Sequence, residues 1–328
     1  MTPSMVSRAF NPKAQVREEK RQRVLEAAAK YDFYPNQMAS RLSMEPVRIG
    51  VILNVRYPAT LEQMMAGLAA AHQMRKDYKL EYDVTVLRPL EEDCDYQAAF
   101  EKYLSHDGLI IAGFSAERFA PLIERYRQVN PNLVQVQAIN PSIKSLCAVH
   151  HPAEQASALA AEFLHHCLKR SGRKNILLFT GDLESALHRS AQRAFLAHCA
   201  AYGMNILETV DMQDSERLLE QQLPQVFQNW GRSVDGIYIT SGASGPLCRY
   251  LEAADIDPVL VTFDVHSEIQ TYLRRGVISA TVSQNVSGQM ETAFRVLAEY
   301  LIGNLEPEPI IHSDVQLLMK SNLPPNAD

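Results

Sequence analysis

The sequence predicts an α/β chain folded as two lobes, each a parallel sheet flanked by helices, with a small all-α head in front. Three observations carry this. From Val47 onward short β-branched runs alternate with amphipathic helical stretches, the pattern of strands buried on both faces and joined by crossover helices. There are more than eight such units, with a change of rhythm near 138–152, which favours two sheets over one very wide one. The first 46 residues have another texture, basic and helical, with no strand pattern. A chain of 328 residues has room for two or three domains.

In order, an amphipathic helix is expected over 16–31, where Val24, Leu25, Ala28 and Tyr31 recur near helical spacing. Phe33-Tyr34-Pro35 ends it, because the proline ring and missing N–H stop the helix. A short helical stretch follows over 36–42, with Asn36 as its cap, then a linker over 43–46. Strands are predicted at 49–53, 84–87, 108–112, 134–136, 176–180, 206–210, 236–240 and 259–263. The helices between them are 61–76, 97–104, 116–129, 153–170, 185–202, 216–229, 244–254 and 267–275. One more strand (280–283), a long helix (286–302) and a tail containing an apolar run at 315–319 complete the chain. No repeat of fixed period is present.

Composition narrows the function classes. At 46% hydrophobic and 21% charged the chain reads as globular. No run reaches the roughly 18 apolar residues of a membrane span. The start lacks the basic-then-apolar pattern of an export signal. The five cysteines, Cys94, Cys147, Cys167, Cys199 and Cys248, are scattered singly and form no CxxC pair, as suits a reducing compartment. A cytoplasmic location is therefore expected, with no membrane partner. Net charge is -6, yet unevenly spread: residues 1–46 hold eight basic and five acidic side chains, a surplus of +3, and the remainder sums to -9. A basic head on an acidic body suits a phosphate-binding module attached to a sensor. No GxGxxG or GxxxxGK[ST] follows a strand and no GxSxG elbow occurs, so neither an enzyme nor a cofactor is expected. His150-His151 and His165-His166 lack the Cys or carboxylate company of a metal site, and no metal is expected.

The order Met5-Val6-Ser7-Arg8, Phe10-Asn11, Val16-Arg17, Arg23-Val24-Leu25-Glu26-Ala27-Ala28, Tyr34-Pro35-Asn36, Ala39, Arg41-Leu42 and Arg48-Ile49-Gly50-Val51 resembles the LacI/GalR family of transcription regulators. The resemblance runs over essentially the whole chain. It implies a helix-turn-helix head, a hinge helix and a two-lobed sensor like the periplasmic sugar-binding proteins. The implied organisation is a partial helix-turn-helix at 1–34, a hinge helix and linker at 35–46, a first lobe of 47–148 plus 284–309, and a second of 149–283 plus 310–328. Thr2, Pro3, Ser4, Ser7 and Arg8 would fall on the recognition helix in the major groove, with Asn11 at its end. Leu42 would wedge into the minor groove beside the small Ala39, and Arg41, like Arg8, would meet phosphates or bases. The family's first helix and turn would precede Thr2. A head lacking them is expected to be poorly ordered alone over residues 1 to about 45, and to bind operator DNA weakly or not at all. In-frame codons upstream of Met1 that encode such a helix would supply the missing part.

For the sensor, the match is Val261-Thr262-Phe263-Asp264 and the stretch from Tyr272 to Gln284-Asn285. It implies that Asp264 accepts sugar hydroxyls, Phe263 stacks on the ring and Gln284 bonds a further hydroxyl. Asp264 also follows a predicted strand directly, where ligands of open α/β sheets bind. The family's ligand-binding Arg falls by strict spacing on Ala191, with Arg189 and Arg193 on either side; Arg189 is the favoured substitute. Asn54 and Tyr57 are expected to line the other lobe. Ser241-Gly242 stands where many members have Asn-Asp, and Pro152 where many have Asp, so the pocket is atypical. The expectation is a ligand-responsive repressor that binds operator DNA as a homodimer and responds to a carbohydrate-like effector. A solute-binding protein without DNA binding is the alternative. Whether the effector acts as inducer or corepressor stays open.

Overall fold

The structure is a computed structural model and describes residues 9, 16–30, 45–88, 95–170 and 172–323. Two six-stranded sheets form two lobes. The first takes β1 (Val47–Asn54), β2 (Leu80–Leu87), β3 (Gly108–Ala112), β4 (Leu133–Val136), β5 (Cys147–His150) and β11 (Ile310–His312), in the order β11-β5-β4-β3-β1-β2. The second takes β6 (Asn175–Thr180), β7 (Asn205–Asp211), β8 (Gly236–Ile239), β9 (Val259–Phe263), β10 (Ala280–Ser283) and β12 (Gln316–Leu318), in the order β12-β10-β9-β8-β6-β7. All pairings are parallel except β12 on β10.

The strands are buried on both faces, and alternate residues feed opposite cores. In β3, Ile110 and Ala112 join the cluster under α2 (Pro58–Gln73) and α10 (Val286–Gly303). Leu109 and Ile111 join the aromatic cluster of Phe100, Tyr103, Phe114 and Tyr126, carried by α3 (Tyr96–Glu101), α4 (Ala120–Val129) and their loops. In β6, Leu177 and Phe179 pack beneath α7 (Glu216–Trp230), α8 (Gly245–Ala254) and α9 (Ser267–Arg275). Ile176 and Leu178 pack beneath α5 (Ala153–Leu168) and α6 (Ala186–Ala201). Asp95, Ser215 and Asn285 cap helix starts, each accepting a backbone N–H from the residue three further on.

The chain crosses between lobes at 151–152, at 284–285 and at 313–315. The third crossing corrects the sequence division, which assigned 310–328 to the second lobe: β11 pairs with β5 in the first sheet, and only β12 belongs to the second. The first crossing also comes slightly later than expected, because β5 extends to His150. No helix among the described residues is long and apolar enough to cross a membrane. The helix expected over 16–31 is observed as α1 (Glu18–Lys30), with Val24 buried. The expected DNA contacts Thr2, Pro3, Ser4, Ser7, Arg8, Asn11, Ala39, Arg41 and Leu42 lie outside the described residues.

One glycine governs how α10 meets α2. A Cβ on Gly67 would lie 2.1 Å from the Ser287 carbonyl oxygen, so only hydrogen fits there. Gly67→Ala is expected to destabilise the protein by about 3 kcal/mol through overpacking against backbone that cannot rotate away. A fall in urea midpoint with an unchanged slope is the check; a midpoint within error of the parent would refute the close approach.

Candidate functional site

The carboxyl ends of the two sheets face each other across a cleft. In each sheet the strand order reverses once, between β1 and β3 and between β6 and β8, and crevices open at such points. The cleft encloses about 190 Å³ and is lined from both lobes. That is room for roughly a dozen waters, or one small polar solute.

Asp264 follows β9 in a left-handed conformation, φ 67°, which Asp tolerates better than most side chains. Its N–H donates to the Val282 carbonyl (2.8 Å) and its carbonyl accepts from the Thr281 hydroxyl (2.7 Å), so the turn is clamped to β10. The side chain reaches the cleft, where Oδ1 accepts from Gln284 Nε2 at 2.7 Å. Gln284 is itself held at the second crossing, its carbonyl accepting from Gln289 Nε2 (2.8 Å) and Ser313 Oγ (3.0 Å). Burial pushes the Asp264 carboxyl up to about 6, against the lowering effect of the Gln284 hydrogen bond and of His266 and His188. Phe263 presents its ring to the cleft beside His151, the centroids 5.3 Å apart. Burial, reinforced by His150 and His188, lowers His151 to about 3, so it is neutral at pH 7.

Beside this group His188, on α6, meets Asp214, after β7, with Nε2 3.1 Å from Oδ2. Burial disfavours the imidazolium, but Asp214, with help from Asp182 and Asp264, outweighs it and the His188 pKa is raised. Burial likewise opposes the Asp214 carboxylate, and His188, Ser241 and the Asp182 N–H overcome it, holding Asp214 well below the usual carboxylate range. Gln213 and Asp214 both take left-handed backbone conformations, φ 50° and 51°, which turn their carbonyls toward the other lobe. Arg56 Nη1 donates to the Gln213 carbonyl (2.7 Å), and the Tyr57 hydroxyl donates to that of Asp214. Gln63 Nε2 reaches the Val265 carbonyl (2.8 Å), and Ser115 Oγ meets Ser185 Oγ (3.2 Å). These bonds hold the lobes together around the cavity. Asn54 ends β1; its Nδ2 donates to the Gly113 carbonyl at 2.7 Å.

The expected ligand contacts Asp264, Phe263, Gln284, Asn54 and Tyr57 therefore all border one cleft. Arg189 is the exception. Its guanidinium donates to the carbonyls of Leu183 (2.7 Å) and Glu184 (2.8 Å) and does not line the cavity. The cleft face of α6 carries Leu187, His188 and Ala191; Arg189, on the other side of His188 from Leu187, turns back to the loop before the helix. Sequence reasoning missed His188, Asp214 and the part played by His151. Of the four paired histidines, His150 contacts the His312 ring and His165 stacks on Tyr202. Among the described residues no three His, Cys, Asp or Glu side chains cluster as metal ligands would.

A family model for the periplasmic binding protein domain matches residues 97–305. No curated protein sequence matches the chain. Among solved structures, a glucose-galactose binding protein from Geobacillus stearothermophilus is similar at a TM-score of 0.74 and 20% identity, covering 86% of this chain and 100% of its own. A transporter solute-binding protein from Burkholderia graminis, in complex with D-arabinose, gives 0.75 at 18% identity, with 85% and 96% covered. A chain from Bacteroides fragilis assigned as a LacI transcriptional regulator gives 0.73 at 17% identity, with 85% and 98% covered. Likeness at these identities establishes the fold.

Proposed function

The chain belongs to the periplasmic binding protein domain family, and from that membership we propose that it is the sensor of a transcription regulator, a repressor responding to a carbohydrate-like solute. The observation that carries the ligand half is the Asp264–Gln284 pair at the carboxyl ends of β9 and β10, facing Asn54 and Tyr57 across the cleft. A carboxylate beside an amide matches the donor and acceptor pattern of vicinal hydroxyls. The aromatic face of Phe263 suits the apolar side of a sugar ring. The arabinose held by the Burkholderia protein agrees with that class of ligand. No catalytic role is proposed for the cleft.

The DNA half rests on the basic segment of residues 1–46 and its resemblance to regulator heads. In this reading the protein is a cytoplasmic homodimer. Solute in the cleft shifts the balance between closed and open lobes, which the Arg56 and Tyr57 bridges tie to the Gln213-Asp214 loop. Lobe movement resets the spacing of paired hinge segments, so solute and operator affinities are coupled and reciprocal. The second reading, a solute-binding protein without DNA contact, is favoured by the transporter proteins among the similar folds.

The test is operator selection from random duplex DNA, followed by fluorescence anisotropy with and without sugars. It is run on this chain and on a version that includes any in-frame codons found upstream of Met1. The regulator reading expects a selected duplex whose affinity changes at least tenfold with one sugar. Sugar binding by calorimetry with no DNA selected from either version would support the second reading and end the first.

A further inference from the structure

Among the described residues, the two buried atoms of the cleft lining without a partner, Asn54 Oδ1 and His151 Nδ1, are both able to accept hydrogen bonds. Asn54 is 8% exposed; its Nδ2 is used by Gly113, and its buried Oδ1 has no partner. His151 is 2% exposed, and its Nδ1 has no partner. The ring is neutral and hydrogen-bonds the Gln284 side chain. With the proton assigned to the nitrogen facing that amide, Nδ1 is a bare lone pair. The Asp264 carboxylate is held through Oδ1 by an amide, not by an ion pair. Its Oδ2 lies beside Gly242, which has no side chain to meet it.

The cations bordering the cleft are already engaged. Arg56 donates to the Gln213 carbonyl, Arg118 lies 3.8 Å from Glu184, and His188 is paired with Asp214. Ala191, on the cleft face of α6, contributes only a methyl group. A phosphorylated or carboxylated solute would meet Asp182, Asp214 and Asp264, while Arg56 is spent on a carbonyl of the opposite lobe and Arg118 lies largely exposed beside Glu184. A solute rich in donors, with positive charge, would satisfy Asn54 Oδ1, His151 Nδ1 and the Asp264 carboxylate together.

Resting on the carbohydrate reading above, we propose that the solute carries a protonated amine beside its hydroxyls, an amino sugar or amino polyol, with the ammonium seated on Asp264. Asn54 Oδ1 and His151 Nδ1 accept from the ammonium or the adjoining hydroxyls. An ammonium brings three donors and no acceptor, the complement of this cleft. Removing the charge from Asp264 should then abolish the preference for the amine while leaving hydroxyl recognition partly in place.

Isothermal titration of the full chain at pH 7 and moderate salt tests this with matched compounds. The pairs are D-glucosamine with D-glucose, D-galactosamine with D-galactose, and 1-amino-1-deoxy-D-glucitol with D-glucitol, with D-glucose 6-phosphate alongside. The expected result is at least one amine binding tenfold or more tighter than its neutral partner, with D264N reducing that ratio to about threefold or less. Neutral partners binding as tightly as the amines in every pair, the phosphate binding tightest, or a preference that survives in D264N would overturn the amine assignment and leave the carbohydrate reading standing. No binding by any of the seven compounds would overturn the amine assignment and count against the carbohydrate reading as well.

Discussion

Asp264→Asn is expected to make the unliganded protein more stable at pH 7, by about 2 kcal/mol, while weakening solute binding roughly 100-fold. The stability gain follows from linkage. Asp264 has its carboxyl raised from 3.8 to about 6 in the folded chain, so the folded state holds this proton more tightly than the unfolded one. Its favourable contribution is therefore complete below the unfolded value and is lost as pH rises through about 6. At pH 7 the carboxylate is buried at a cost, and the neutral amide removes that cost. The full shift corresponds to about 3 kcal/mol; partial access of the group to the cleft reduces it. Asn also accepts from Gln284 and tolerates the left-handed backbone that Ala would strain. Urea midpoints of both proteins should differ most at pH 7 and converge near pH 4. A variant less stable than its parent at pH 7 would show that the carboxylate is satisfied without solute. Parent affinity for solute should fall below about pH 6, where the carboxyl is protonated. Here the residue proposed to bind is also the one that costs stability, as functional sites often show.

His188→Ala is expected to cost about 3 kcal/mol of stability, because it strands the Asp214 carboxylate in a buried place without its counter-charge. The two side chains are only 15% and 20% exposed, so solvent does little to replace the lost partner. The pair's pH window has two edges. The raised His188 pKa gives stability that is full below the ordinary histidine value and lost as pH rises through the raised one. The depressed Asp214 pKa gives stability present above the ordinary carboxylate value and lost as pH falls through the lowered one. Adding Asp214→Asn to His188→Ala should restore at least half of the loss, since Asn neutralises the stranded group and suits φ 51°. Simple additivity of the two changes in chemical denaturation would mean that the pair is not coupled. The Asp214 carbonyl also receives Tyr57 from the other lobe, so the single variant should loosen the closed arrangement, seen as a larger radius of gyration in X-ray scattering.

Much of this architecture is written in local pattern. Runs such as Gly108–Ala112 and Val259–Phe263 are apolar, short and flanked by helical stretches, and they form central strands as that pattern requires. Cys147–His150 and Ile310–His312, four and three residues long, each end in a histidine, and neither is expected as a strand from the sequence. That is why the third crossing was misplaced. Within the site, Asp264 was legible because it abuts an apolar run. His188 and Asp214 were not, because the contact joins a helix to a loop beyond the next strand, and no spacing in the chain marks it. Arg189 shows how narrow the margin is on a helix: it follows His188 directly, yet its side chain leaves the cleft to bond the Leu183 and Glu184 carbonyls. His151 was noted as one of a pair, but its neutrality depends on a burial that only the fold supplies.

The position of α10 bears on how the molecule is made. Phe294 and Leu297 of that helix complete the apolar floor under β1 and β3, although nearly the whole second lobe intervenes in the chain. A nascent polypeptide leaving the ribosome thus carries the opening sheet half-clothed while the lobe behind it is being synthesised. That lobe runs almost continuously from 153 to 283, lacking only its edge strand β12, so most of it is available to fold before the first lobe is complete. Until residue 303 emerges, the exposed underside of β1 is a surface for chaperones to shield.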